Sequence, residues 1–126
     1  MWVGVVAWLA AAAAAAAAAD TGDAARGAAI VASRTQGQCV LCHAVPGVPA
    51  VLSGNIGPSL AGAGARWSAA ELRQRLVTPE RFYPDSVMPS VSRTDGLVQV
   101  ASARRGQPIL DARQVDDVVA YLVTLR

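Results

Sequence analysis

The chain contains no lysine; all eleven of its basic residues are arginine. It has one histidine and two cysteines, and Met88 is its only methionine after the first residue. Each scarcity excludes something. Set against nine acidic residues, the arginines leave a formal net charge of +2, too weak a bias to point to nucleic acid. A structural zinc site wants four ligands, usually Cys or His, and the chain offers three such residues in total. A thioredoxin-like redox dithiol needs a strand–helix–strand setting, and no such pattern is present. There is no internal repeat, and 126 residues suit one small domain.

The headline hydrophobic fraction of 53% is inflated by the unbroken run Ala10 to Ala19. Residues 1–19 read as a secretory signal, with an apolar stretch from Trp2 to Leu9 and small residues ending Ala17-Ala18-Ala19 before Asp20. The segment has no Lys or Arg, and no twin arginine occurs in it, so the general secretion route is expected. An uncleaved membrane anchor is the alternative, at the lower length limit for a spanning helix. Removing 19 residues from 126 leaves 107 for a mature domain at 20–126. That is marginal for burying a large core.

The three scarce residues that can bind metals are adjacent. Cys39-Val40-Leu41-Cys42-His43 has the spacing C-x-x-C-H, the attachment site of a c-type haem. Two intervening residues let one turn present both sulfurs to one porphyrin edge, and the histidine follows onto the iron axis. A redox dithiol, a zinc site or a plain disulfide are the other readings, and the exclusions above weigh against the first two. A covalent haem would also supply the apolar centre that a domain this small lacks. Covalent haem attachment in bacteria takes place outside the cytoplasmic membrane, so motif and signal agree on a periplasmic address.

The mature chain reads as helix, motif, loop, helix, loop, helix. Residues 23–33 are alanine-rich with an acid at the start and predict a first helix. Gly27 is costly within it unless another backbone passes close by. Residues 44–65, with Pro46, Pro49, Pro58 and five glycines, predict loop. Ser68-Ala69-Ala70-Glu71 is a capping box opening a second helix, which buries Leu72 and Leu76, keeps Arg73 and Arg75 outside and ends at Pro79. A second irregular stretch covers 80–110. Asp111, with Gln114 three residues on, caps a last helix whose Val115, Val118, Val119, Leu122 and Leu125 form one stripe, with Asp116 and Asp117 on the opposite face.

If haem is present, the iron needs a sixth ligand. Met88 lies in Val87-Met88-Pro89, between the second and third helices. A lone methionine is ordinarily core filler. Here no second histidine competes, and Pro89 stiffens the loop just after the sulfur, so Met88 is the candidate ligand. An open site or an external ligand is the alternative. Thioether sulfur favours reduced iron and raises the potential of a His-ligated haem. With both axial positions filled, the site suits electron transfer.

The element order resembles the all-α class I cytochrome c fold, three main helices around one covalent haem, whose first and last helices cross closely. Gly27 and Tyr121 are the candidates for that crossing. The resemblance implies that Gly57-Pro58 supplies a backbone carbonyl, that of Pro58, to the Nδ1 proton of His43.

Longer stretches resemble one family within that class. These are Gly22 to Val31, Gly57 to Ser68, Leu72 to Val77, Phe82 to Pro89, Arg105-Gly106-Gln107-Pro108-Ile109-Leu110 and Asp116 to Leu122. They are similar to SoxX, the monohaem cytochrome subunit of the sulfur-oxidising SoxAX complex. The resemblance implies haem c held by Cys39 and Cys42 and ligated by His43 and Met88. It implies a heterodimer with a SoxA-type haem protein, which together act as an L-cysteine S-thiosulfotransferase on thiosulfate. This chain would be the electron-transfer subunit, not catalytic alone, passing electrons to a downstream acceptor cytochrome. A free-standing small cytochrome c carrier is the runner-up, and a haem-based sensor that releases Met88 for a gaseous ligand is a third reading. Trp67, Phe82 and Tyr83 are expected either to form a partner patch or to pack on the porphyrin. Arg66, Arg73, Arg75 and Arg81 are expected to be mostly solvent-exposed.

Overall fold

The structure, a computed structural model, describes residues 22–126. The expected signal segment 1–19 and its cleavage point lie outside the described residues. Among the described residues there are helices and short 3-10 turns and no strand, and no helix is long and apolar enough to cross a membrane.

Helix α1 runs Ala24–Ala32, opened by Asp23, whose side chain accepts the Arg26 amide proton at 2.8 Å. Such a cap satisfies one of the four amides that a helix start leaves unpaired. A four-residue helix, α2 (Ala63–Arg66), sits inside the stretch expected to be loop. Gly62 enters it with a positive φ of 72°, and α2 is tied to the chain end by the Gly64 amide donating to the Leu125 carbonyl at 2.8 Å. Helix α3 (Ala69–Val77) begins with the expected Ser68–Glu71 capping box, and α4 (Ala112–Leu122) with an equivalent Asp111–Gln114 box. Leu125 lies beyond the end of α4, half-buried against the core rather than on the helix stripe.

The core is a single apolar cluster. Ile30 and Val31 of α1, Leu72 and Leu76 of α3, and Val115, Val118, Val119 and Leu122 of α4 meet Val40, Val45, Val91 and Leu110 from the loops. Helix α4 packs most extensively on α1 and secondarily on α3. The α1–α4 crossing is where expected. A Cβ on Gly27 would lie 2.9 Å from the Tyr121 Cβ and closer still to the Asp117 carbonyl, so the approach requires glycine.

Two expectations on these helices need correction. Asp117 does not face solvent; its side chain is 7% exposed and lies in the α1–α4 seam. Its Oδ2 accepts from Arg26 Nε at 2.8 Å, and its Oδ1 accepts from Arg26 Nη2 at 2.9 Å and from the Asp23 amide at 2.6 Å. Those bonds, the Arg26 pair foremost, hold the Asp117 carboxyl below the usual carboxylate range. The helix turn that aims Val118 and Val119 at the core brings Asp117 to the rim, where charge is tolerable because it is fully bonded. Arg73 and Arg75 are likewise not free in solvent. Arg73 pairs with Asp116, joining α3 to α4, and Arg75 lies between two aromatic rings.

Candidate haem site

The segment between α1 and the motif is a tight connection. The Ser33 hydroxyl accepts the amides of Thr35 and Gln36, and the Ser33 carbonyl accepts the Gln38 amide. Gln38 takes a left-handed conformation, φ 62°, immediately before Cys39. The chain then makes one 3-10 turn, Cys39–Leu41, in which the Cys39 carbonyl accepts from both the Cys42 amide at 3.1 Å and the His43 amide at 2.9 Å. That turn puts both thiols and the imidazole on one short rigid segment. Val40 points the other way and is buried at 1% exposure, anchoring the turn in the core.

A second segment runs alongside the motif in the same direction. The Gly54, Gly57 and Leu60 amides donate in turn to the carbonyls of Val40, Cys42 and Ala44, at 2.8, 2.8 and 2.9 Å. This pairing sets Pro58 beside the histidine. The His43 Nδ1 lies 2.6 Å from the Pro58 carbonyl oxygen. A carbonyl can only accept, so Nδ1 carries the proton and Nε2 keeps its lone pair for a metal. Gly57 makes the approach possible, since a Cβ there would fall 2.7 Å from His43 Nδ1 and 2.9 Å from Nε2.

Cys39 and Cys42 are free thiols and half-buried. Burial pushes the Cys39 thiol up to about 11, against a lowering backbone hydrogen bond. Among the described residues no group of three His, Cys, Asp or Glu side chains is arranged to hold a metal ion by itself.

Met88 stands on a separate loop, between the 3-10 turn Pro79–Arg81 and α4. It is half-buried and packs on the same apolar core as Cys39. Its amide donates to the Ser86 hydroxyl at 3.2 Å. Just beyond it, the Ser90 hydroxyl donates to the Val77 carbonyl at 2.6 Å and the Val91 amide to the Leu76 carbonyl at 3.0 Å, fastening the loop to the end of α3. The fold thus gathers Cys39, Cys42, His43 and Pro58 into one hydrogen-bonded unit, with Met88 on a second, independently anchored one.

These residues fit a covalent haem. Two adjacent thiols, an imidazole with its Nε2 freed and a glycine cradle against the ring are the parts that c-type attachment uses. The loops carrying them expose large apolar side chains, among them Leu41, Val51, Leu52, Ile56 and Val87. Trp67 is half-buried against the core and Phe82 half-buried beside Arg75, whereas Tyr83 is exposed. One relationship that the sequence did not disclose is the stack of Arg75 between Trp67 and Phe82; the spacing of the three residues gives no local signal for it.

Residues 24–126 match the family described as Cytochrome c. No curated protein matches the chain in sequence. Among solved structures, a chain in the crystal structure of SoxXA from P. pantotrophus is similar. It has a TM-score of 0.74 and 38% sequence identity, over 82% of this chain and 82% of that one. The chain belongs to the cytochrome c family: it is an all-α c-type cytochrome, an electron carrier with a covalently bound haem c and its iron. Within that family its likeness is to the SoxX-type cytochromes.

Proposed function

We propose that the chain carries electrons through a haem ligated by His43 and Met88, as the monohaem subunit of a SoxAX-type thiosulfate-oxidising complex in the periplasm. The observation that carries this reading is the 38% identity to a chain of the SoxXA structure over 82% of both.

When bound, haem c supplies a one-electron couple between ferric and ferrous iron. The chain's own residues set the conditions for that couple. Cys39 and Cys42 anchor the ring edge. His43 offers Nε2 as the proximal ligand, and the Pro58 carbonyl, by holding the Nδ1 proton, fixes the imidazole plane and makes the ligand more basic. Met88 offers a soft neutral sulfur, which favours the reduced state. His43 and Met88 together would hold the haem on both sides, which suits the chain to electron transfer rather than to binding a substrate at the metal. The oxidative joining of thiosulfate to a carrier cysteine belongs to the SoxA-type partner. This chain accepts the released electrons and passes them to an acceptor cytochrome.

A lasting partner is supported by the likeness to a chain of the SoxXA structure over 82% of both chains. The test is an affinity pull-down of the tagged chain from its native host growing on thiosulfate, read on a haem-stained denaturing gel. A second haem-bearing band in near-equal amount is expected. A single haem band would reassign the chain as a free-standing carrier, and no haem stain would remove the haem reading altogether.

A further inference from the structure

Among the described residues, Arg75 lies against two aromatic rings. Its guanidinium carbon lies 4.1 Å from the centroid of the Trp67 ring and 4.3 Å from that of Phe82. Arg66 also contacts this cluster, its guanidinium carbon 4.9 Å from the same Trp67 ring. The four side chains form one contiguous cluster, with Trp67 touched by both guanidinium groups and Arg75 by both rings. Each separation is within the range where a cation is attracted to a ring face, and the flat guanidinium makes such stacking possible where a lysine would not. Arg75 Nε is shielded from water and makes no hydrogen bond within the structure. The two ring contacts are the interactions that the described residues make with this guanidinium.

The two ends of the stack reach the two halves of the haem site. At one end Arg66 donates from Nη1 to the Ala61 carbonyl at 2.8 Å and from Nη2 to the Ser59 carbonyl at 3.3 Å. Ser59 directly follows Pro58, whose carbonyl holds His43. At the other end Phe82 closes the 3-10 turn Pro79–Arg81, its amide donating to the Pro79 carbonyl at 3.1 Å. Phe82 opens the loop that carries Met88, and that loop is pinned at its far side to the last turn of α3, the helix bearing Arg75.

We infer that Trp67, Arg75 and Phe82 are positioning residues. Their stack braces the loop that orients His43 against the loop that presents Met88, and so fixes the placement of Met88 relative to His43 and tunes the reduction potential. The inference rests on Met88 being the sixth ligand.

The test uses the full chain matured with haem. Phe82→Leu and Trp67→Leu break the stack without changing charge. Arg75→Gln breaks it and removes a charge. Arg73→Gln is the control, because Arg73 also leaves α3 but pairs with Asp116 of α4 and touches no ring. Reduction potential and the sulfur-to-iron charge-transfer band of the oxidised protein are measured, with the thermal midpoint followed alongside. The expected result is a lowered potential and a weakened band in Phe82→Leu and Arg75→Gln, and neither change in Arg73→Gln at comparable loss of thermal stability. Equal potentials and bands in Phe82→Leu and Arg73→Gln would overturn the brace while leaving the ligand assignment intact. Absence of the band from the unaltered protein would overturn the ligand assignment and the brace together. If Trp67→Leu fails to take up haem, Phe82→Leu, at a half-buried position, decides the matter.

Discussion

The Nδ1 of His43 donates its proton to the carbonyl oxygen of Pro58 at 2.6 Å, across fifteen residues of loop. The bond decides which ring nitrogen is free, and so it decides the chemistry of the site before any iron is bound. It exists because Gly57 lets backbone approach the imidazole face.

Replacing Gly57 with alanine should therefore disturb the histidine specifically. The new Cβ would press on the imidazole ring, and the His43–Pro58 bond would have to lengthen or tilt. Overpacking of this kind costs about 1–3 kcal/mol. Chemical denaturation should show that loss. Potentiometry should show a changed potential with haem still covalently attached, and an unchanged potential would mean that the Pro58 bond does not tune the iron.

Met88→Ala should leave the thioether bonds to Cys39 and Cys42 in place, so haem stain should survive on a denaturing gel. On the proposed ligation by His43 and Met88, the low-spin spectrum of such a pair should disappear. The chain contains no lysine and no second histidine to take the vacated position. A retained sulfur-to-iron band would show that another group ligates the iron.

Gly27→Ala attacks the fold rather than the site. The added methyl would meet the Asp117 carbonyl and the Tyr121 Cβ, forcing α1 away from α4. A stability loss of about 1–3 kcal/mol is expected in urea or guanidinium unfolding. Leu110→Ala, at a side chain 1% exposed, should cost about 2–5 kcal/mol by leaving a cavity in the same core. No drop for either would mean that the helices pack differently.

Acid should weaken the α1–α4 seam through Asp117. Its carboxyl is held low by Arg26 first and by the Asp23 amide next, so its folded value lies below its unfolded value of about 4. A group lowered in this way stabilises the fold above the unfolded value, and that contribution is lost as pH falls through the folded one. Thermal midpoints of the unaltered chain and of Asp117→Asn, compared from pH 7 down to pH 2, should be furthest apart at neutral pH and converge in acid. A gap independent of pH would remove the ion pair from the account.

Local features were legible in the residue string. The Ser68–Glu71 and Asp111–Gln114 boxes, the Pro79 stop and the stripe of α4 involve residues no more than seven positions apart, so a short window contains all their partners. The attachment motif is legible for the same reason, being closed within one turn. The close passage at Gly27 could be foreseen because a mid-helix glycine is unfavourable unless something replaces the missing side chain.

Other features were decided only by the tertiary structure. Asp117 looked like part of a solvated face, yet its partners Asp23 and Arg26 are 94 and 91 residues away. Arg75 looked exposed, yet two rings from either side of α3 enclose it. The short helix α2 forms where loop was expected, held by the chain end through the Gly64–Leu125 bond. By itself the sequence determined which residues could hold a haem and where the helices start, because caps, breakers and ligand spacing act within a turn or two. Which charges are buried, which rings stack and how the His43 and Met88 loops are held were settled by packing. Those contacts join segments that carry no mark of each other until the core brings them together.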